Sequence, residues 1–147
     1  MKNILVKMID KLLGLFTSTD EFDFKNHVYK EYYKNGKLKR EKPYVRGKKH
    51  GIEKEYYESG QLLYEIPYKK GERHGIEKEY YKNGKLLSEI PYVKGKKHGI
   101  EKEYHINGQL LSEIQYVRDE KHGICKTYLY SNGHLLKEEM WVKGRQV

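Results

Sequence analysis

One cysteine, three prolines, three phenylalanines and one tryptophan are all that 147 residues supply of the usual makers of rigid cores, and each shortage excludes something. A lone Cys125 excludes an intrachain disulfide framework and is compatible with a reducing compartment. Apolar residues are scarce as well: 37% of the chain is hydrophobic against 35% charged, with a mean hydropathy of −0.98. That is thin for an ordinary single core. No apolar run is long enough to span a membrane, because Lys7, Asp10 and Lys11 interrupt the longest one. Acidic residues are outnumbered 21 to 30, which leaves a net charge of +9 and points to an anionic partner: an acidic protein face, a phosphate-bearing lipid or nucleic acid.

What the chain has instead is repetition. Residues 74–97, HGIEKEYYKNGKLLSEIPYVKGKK, have near-copies on both sides. His-Gly recurs at His50-Gly51, His74-Gly75, His98-Gly99 and His122-Gly123, each 24 residues after the last. A second marker recurs at Asn35-Gly36, Ser59-Gly60, Asn83-Gly84 and Asn107-Gly108, and then, after one inserted residue, at Asn132-Gly133. An array in which each unit leans only on its neighbours tolerates a thin apolar layer and calls for atypical end units. Tyrosine, with 15 copies, supplies much of that layer.

Each unit holds two strand-like runs joined by Asn-Gly or Ser-Gly, the short-range signature of a β-hairpin with a two-residue type I′ turn. Charge tests the register. With Ser59-Gly60 as the turn, Lys54 falls opposite Glu65, and the same arithmetic pairs Lys30 with Glu41, Lys78 with Glu89 and Lys102 with Glu113. In the last unit the insertion moves Lys126 opposite Glu139 instead of Glu138. Slipping one residue sets carboxylate against carboxylate. This register places Tyr56 across from Leu63, Tyr57 across from Leu62 and Gly51 across from Tyr68, the last as an aromatic ring covering a strand glycine. Pro43, Pro67 and Pro91 stand where a ladder wants an N–H, so the pairing is expected to fray or bulge there. The fold expected for residues 21–147 is therefore mainly β: an elongated, single-layer antiparallel meander of about ten strands in five hairpin units, Asn-Gly turns on one edge and Lys-Gly turns on the other.

Residues 1–20 stand outside the repeat. Ile4, Leu5, Met8, Ile9, Leu12, Leu13, Leu15 and Phe16 fall at helical spacing with Lys2, Lys7, Asp10 and Lys11 mostly between them, the pattern of an amphipathic helix. A cap on the first repeat, a ligand for a partner groove, a membrane-surface anchor and a cleaved signal are all consistent with it.

The motif Tyr80-Tyr81-Lys82-Asn83-Gly84-Lys85-Leu86, followed by Glu89, Tyr92, Gly95 and His98-Gly99, resembles the MORN repeat in its bacterial variant form, over roughly residues 27–144. The resemblance implies single-layer β-hairpin repeats that act as binding or scaffolding modules. Classical arrays of this kind are connected with membrane lipids and protein assembly, and variant-repeat bacterial proteins often carry an antitoxin-like label.

No catalytic, metal or cofactor site is expected. His50, His74, His98 and His122 recur two strands apart, about 9–10 Å, too far to share an ion, and read as turn residues. Glu53 and Glu55, repeated as Glu77 and Glu79 and as Glu101 and Glu103, read as a solvated acidic ladder, and Cys125 as packing. The feature above background is a basic edge: Arg46, Lys48 and Lys49; Lys69, Lys70 and Arg73; Lys94, Lys96 and Lys97; Arg118 and Lys121; with Lys143 and Arg145 beyond. Such a row suits a phosphate backbone or an acidic protein strip, although charge also protects sheet edges. Nucleic acid is disfavoured, because the tyrosines lie in the strands and not among these cations. The expectation is a non-enzymatic protein-binding or scaffolding module, cytoplasmic or membrane-peripheral. An antitoxin or immunity role and binding to anionic membrane through the helix and basic edge are the alternatives.

Overall fold

The computed structural model describes residues 26–147, so the expected N-terminal helix and its boundary at residue 20 lie outside the described residues. Ten long strands run antiparallel in chain order through one sheet: β1 (Asn26–Tyr32), β2 (Leu38–Val45), β4 (Gly51–Tyr56), β5 (Leu62–Lys69), β7 (Gly75–Tyr80), β8 (Leu86–Val93), β10 (Gly99–Tyr104), β11 (Leu110–Val117), β13 (Gly123–Tyr128) and β14 (Leu135–Val142). Five two-residue arms turn back on the second strand of each hairpin: β3 (Lys48–Lys49), β6 (Glu72–Arg73), β9 (Lys96–Lys97), β12 (Glu120–Lys121) and β15 (Arg145–Gln146). The meander and its single layer are as the repeat predicts, and no helix occurs among the described residues.

The charge register holds. Lys30 pairs with Glu41, Lys54 with Glu65, Lys78 with Glu89 and Lys102 with Glu113. The route to it differs from the expectation. In unit three Tyr81 N–H bonds the Lys85 carbonyl at 2.8 Å and Gly84 N–H bonds the Tyr81 carbonyl at 2.9 Å, which makes a three-residue loop in which only Gly84, at φ +81°, is left-handed. This is a type I turn ending in a left-handed glycine, not type I′. Asn83 keeps ordinary backbone and instead accepts the Lys85 N–H through Oδ1 at 3.0 Å. The loop alone would shift the register by one residue. A bulge between Glu79 and Tyr80, repeated in every hairpin, shifts it back, so Tyr56 faces Leu62 rather than Leu63, and Tyr57 closes on Gln61 rather than Leu62. In the last unit the extra residue stays in the loop, where Leu129 N–H bonds the His134 carbonyl, and Lys126 faces Glu138, not Glu139.

Left-handed pairs do occur, on the opposite edge. Arg46-Gly47, Lys70-Gly71, Lys94-Gly95, Arg118-Asp119 and Lys143-Gly144 all have positive φ at both residues, as type I′ turns require. Each of the later turns docks on the arm before it: Gly71 N–H bonds the Lys49 carbonyl at 2.8 Å, Gly95 the Arg73 carbonyl at 2.9 Å and Asp119 the Lys97 carbonyl at 3.0 Å.

Pairing is dense within hairpins and sparse between them. β7 and β8 share six pairs, whereas β5 and β7 share two, Tyr64 with Glu79 and Glu65 with Lys78. The ladder between units gives way at the prolines, as their missing N–H requires. Within the hairpin, by contrast, Pro67 stays in register opposite Ile52. Beside each proline the next unit's histidine N–H caps its carbonyl, His74 to Pro67 and His98 to Pro91 at 2.9 Å. The following glycine is bare because of that ring: a Cβ on Gly99, which has φ +117°, would sit 2.9 Å from Pro91 Cγ. Tyr68 does pair with Gly51, but proline, not tyrosine, fills the glycine's space.

Tyrosine hydroxyls reinforce the seams. Tyr57 donates to the Tyr80 carbonyl and Tyr81 to the Tyr104 carbonyl, both at 2.8 Å, while Tyr80 donates back to Glu65 at 3.0 Å and Tyr104 to Glu89 at 3.2 Å. Each such bond contributes about 0.5–1.5 kcal/mol, which matters where only two ladder pairs join neighbours.

Candidate functional site

The two faces of the sheet are unlike. Strand alternation puts Glu53, Glu55, Tyr64, Ile66 and Tyr68 on one face and Ile52, Lys54, Glu65 and Pro67 on the other. On the first face the carboxylates are not a solvated ladder. Glu53 is 5% exposed and Glu101 8%, in one column with Glu77 and with Cys125, which is buried where the repeat otherwise has glutamate. Burying a carboxylate requires a paired cation. The arms provide it: Lys49 Nζ lies 2.6 Å from Glu53, Arg73 Nη1 3.0 Å from Glu77 and Lys97 Nζ 2.5 Å from Glu101. The same cations lie over aromatic rings, Lys49 over Tyr68 at 4.4 Å, Arg73 over Tyr92 at 5.1 Å and Lys97 over Tyr116 at 4.9 Å. Lys121 has Trp141 at 4.6 Å and no carboxylate partner among the described residues.

These contacts shift titration. Burial is the largest single influence on Lys49 and Lys97 and lowers their ammonium pKa, but the hydrogen bonds and charges of Glu53 and Tyr68 around Lys49, and of Glu101, Tyr116 and Tyr92 around Lys97, together outweigh it and hold both above the ordinary lysine value. Burial pushes the Glu77 carboxyl up against the pull of Arg73 and Lys97. The Arg73 contact is an ion pair whose Oε2 receives no hydrogen bond, unlike its Glu53 and Glu101 counterparts, so desolvation prevails.

The basic edge therefore divides in two. Lys49, Arg73, Lys97 and Lys121 are structural cations folded onto the sheet. Arg46, Lys48, Lys69, Lys70, Lys94, Lys96 and Arg118 are exposed and form no ion pair among the described residues. The structure brings these seven together at and beside the row of type I′ turns. Near the last two turns Lys96, Arg118 and Lys143 line an open hollow together with Val117, Glu120 and His122. The Asn-Gly markers from Asn35-Gly36 to Asn132-Gly133 occupy the other edge, where Asn35, Asn107 and Asn132 repeat the side-chain turn of Asn83.

The second face carries a feature that periodicity alone did not single out. Val28 pairs with Pro43, Ile52 with Pro67, Ile76 with Pro91, Ile100 with Gln115 and Ile124 with Met140, a transverse row that is apolar except at Gln115. Ile52 is 50% exposed and Ile76 52%. The signal was present in Gly-Ile-Glu and Ile-Pro-Tyr, whose apolar members the register sets opposite each other on one face.

Comparison with known proteins adds the family. No curated protein matches the chain. Two crystal structures of TarM, one from S. aureus with fondaparinux, α-GlcNAc-glycerol and UDP, align at 14% identity and a TM-score of 0.44. The alignments cover 98% and 99% of this chain but 23% of each TarM chain, so the chain spans less than a quarter of their length. The model of the MORN repeat variant matches residues 28–46, 49–70, 73–94 and 97–118, one segment per hairpin unit through unit four. This chain belongs to the MORN repeat variant family.

Proposed function

We propose that the chain is a non-enzymatic interaction module that binds an acidic protein surface along its row of cationic type I′ turns. MORN repeats are generally protein- or membrane-interaction modules. The observation that carries the finer reading is backbone strain. A type I′ turn prefers asparagine at its first central position, because a left-handed conformation costs other L-residues on the order of 1 kcal/mol. In all five turns that position holds lysine or arginine, at φ 48–56°. Turn formation does not ask for a cation there, and protection of an edge strand does not ask for it at the tip of a turn. A partner with repeated negative charge does. The docked turn backbones fix the spacing, which lowers the ordering cost of a multipoint contact.

The sheet's carboxylates support the non-enzymatic reading, since Glu53, Glu77 and Glu101 repeat one structural ion-pair arrangement instead of building a single site. The test is capture of partners by the immobilised full chain, with vesicles of neutral and anionic lipid run in parallel. A captured protein released by raising salt from about 0.1 to 1 M, where the screening length falls from about 10 to 3 Å, supports the reading. Partition that requires anionic lipid, with no salt-sensitive protein, would replace it with a membrane role.

A further inference from the structure

We infer that the first half of the Ile/Pro row is a docking track for the chain's own N-terminal segment, residues 4–16. The row is an apolar feature left open: Val28, Ile52, Ile76 and Ile100 are each about half exposed, at 53, 50, 52 and 48%. It is continuous as well as exposed. Each proline ring lies over the next unit's glycine, Pro43 Cγ 3.3 Å and Pro67 Cγ 3.1 Å from where a Cβ of Gly51 or Gly75 would sit, and this brings it beside the following isoleucine.

Three observations choose the occupant. The first is position: the described chain enters the sheet at Asn26, and Val28, two residues on, is the first member of the row. The second is length. Strands are about 4.8 Å apart, so Val28 to Ile76 spans about 19 Å across β1, β2, β4, β5 and β7. Thirteen residues with helical spacing give about 20 Å. The nine residues 17–25 reach up to about 30 Å, enough to turn back across the face. The third is chemistry. Residues 4–16 offer Ile4, Leu5, Met8, Ile9, Leu12, Leu13, Leu15 and Phe16, a stripe that needs an apolar track. On its Asn-Gly side the track is bordered by the rungs Lys30–Glu41, Lys54–Glu65 and Lys78–Glu89, which carry no net charge. The segment covers Val28 to Ile76 and leaves Ile100, Ile124 and Met140 open. This inference stands independently of the proposed partner.

Disulfide trapping in the full chain tests it, with the native Cys125 buried beneath the opposite face. Leu12→Cys combined with Ile52→Cys or Ile76→Cys is expected to give a fast-migrating monomer under mild oxidation. Leu12→Cys with Asn107→Cys, on the far Asn-Gly edge, is expected to give none. Linkage between chains would overturn the inference in favour of a second copy as the occupant, and equal linkage at all three positions, or none, would also overturn it. A second readout does not depend on trapping. Removing residues 1–20 should raise binding of an apolar fluorescent dye several-fold, and Ile52→Lys with Ile76→Lys in that shortened chain should abolish the increase. Unchanged dye binding on removal overturns the inference.

Discussion

Lys70, Lys94 and Arg118 hold left-handed backbone that asparagine adopts at lower cost, so replacing them isolates charge from fold. Lys70→Asn, Lys94→Asn and Arg118→Asn are each expected to leave the sheet intact and to stabilise it by up to about 1 kcal/mol, read by thermal unfolding. A loss of stability would mean the cations support the turns. Glu77 makes a pH prediction. Its folded pKa is raised by burial, so the folded state holds its proton more tightly than the unfolded chain and stability falls as pH rises from the ordinary glutamate range through the folded value. Relative to wild type, Glu77→Gln should therefore look better at pH 7 than at pH 4 in denaturant titrations. The opposite trend would show that Arg73 outweighs desolvation.

At the scale of the element, the hairpin is a loop and a bulge that cancel. Its proline row and glycine are coupled to the unit alongside. Gly99→Ala puts a Cβ 2.9 Å from Pro91 Cγ, whereas Gly108→Ala, at φ +94° in a turn, meets open space. Both pay the left-handed cost of about 1–2 kcal/mol, and Gly99→Ala should exceed Gly108→Ala by about 1 kcal/mol or more in equilibrium unfolding. Equal costs would remove the steric role of the proline. The same elements show what was legible in the sequence. In the first four units the Lys–Glu rungs fixed the register, because opposite charges at a fixed offset have one pairing that avoids carboxylate clashes; in the last unit the same reasoning chose Glu139, and Glu138 is the partner because the loop absorbs the extra residue. The loop type was not legible, because a two-residue turn and a three-residue loop with a compensating bulge give identical rungs from Glu55 inward. Nor was the division of the basic edge. Lys48 and Lys49 are equivalent as letters, and only the arm's two-residue geometry turns Lys49 onto Tyr68 and Glu53 while Lys48 faces solvent.

Over the whole molecule, hairpins joined by two ladder pairs and tyrosine bonds form a nearly one-dimensional array. Ending the chain after Arg118 should leave a folded array with a lower midpoint and a proportionately smaller denaturant slope, because the slope follows the surface exposed on unfolding. Collapse of the β signal would show that the units are not additive. The same regularity sets the proposed binding row, turns presenting unpaired charge at a spacing of about 9–10 Å. The most direct measurement of that claim is the affinity of the captured partner for wild type and for the triple variant Lys70→Asn, Lys94→Asn, Arg118→Asn, with thermal unfolding of both. The expected result is an at least tenfold weaker, less salt-sensitive complex from a protein at least as stable. Unchanged affinity in the stable variant would contradict it.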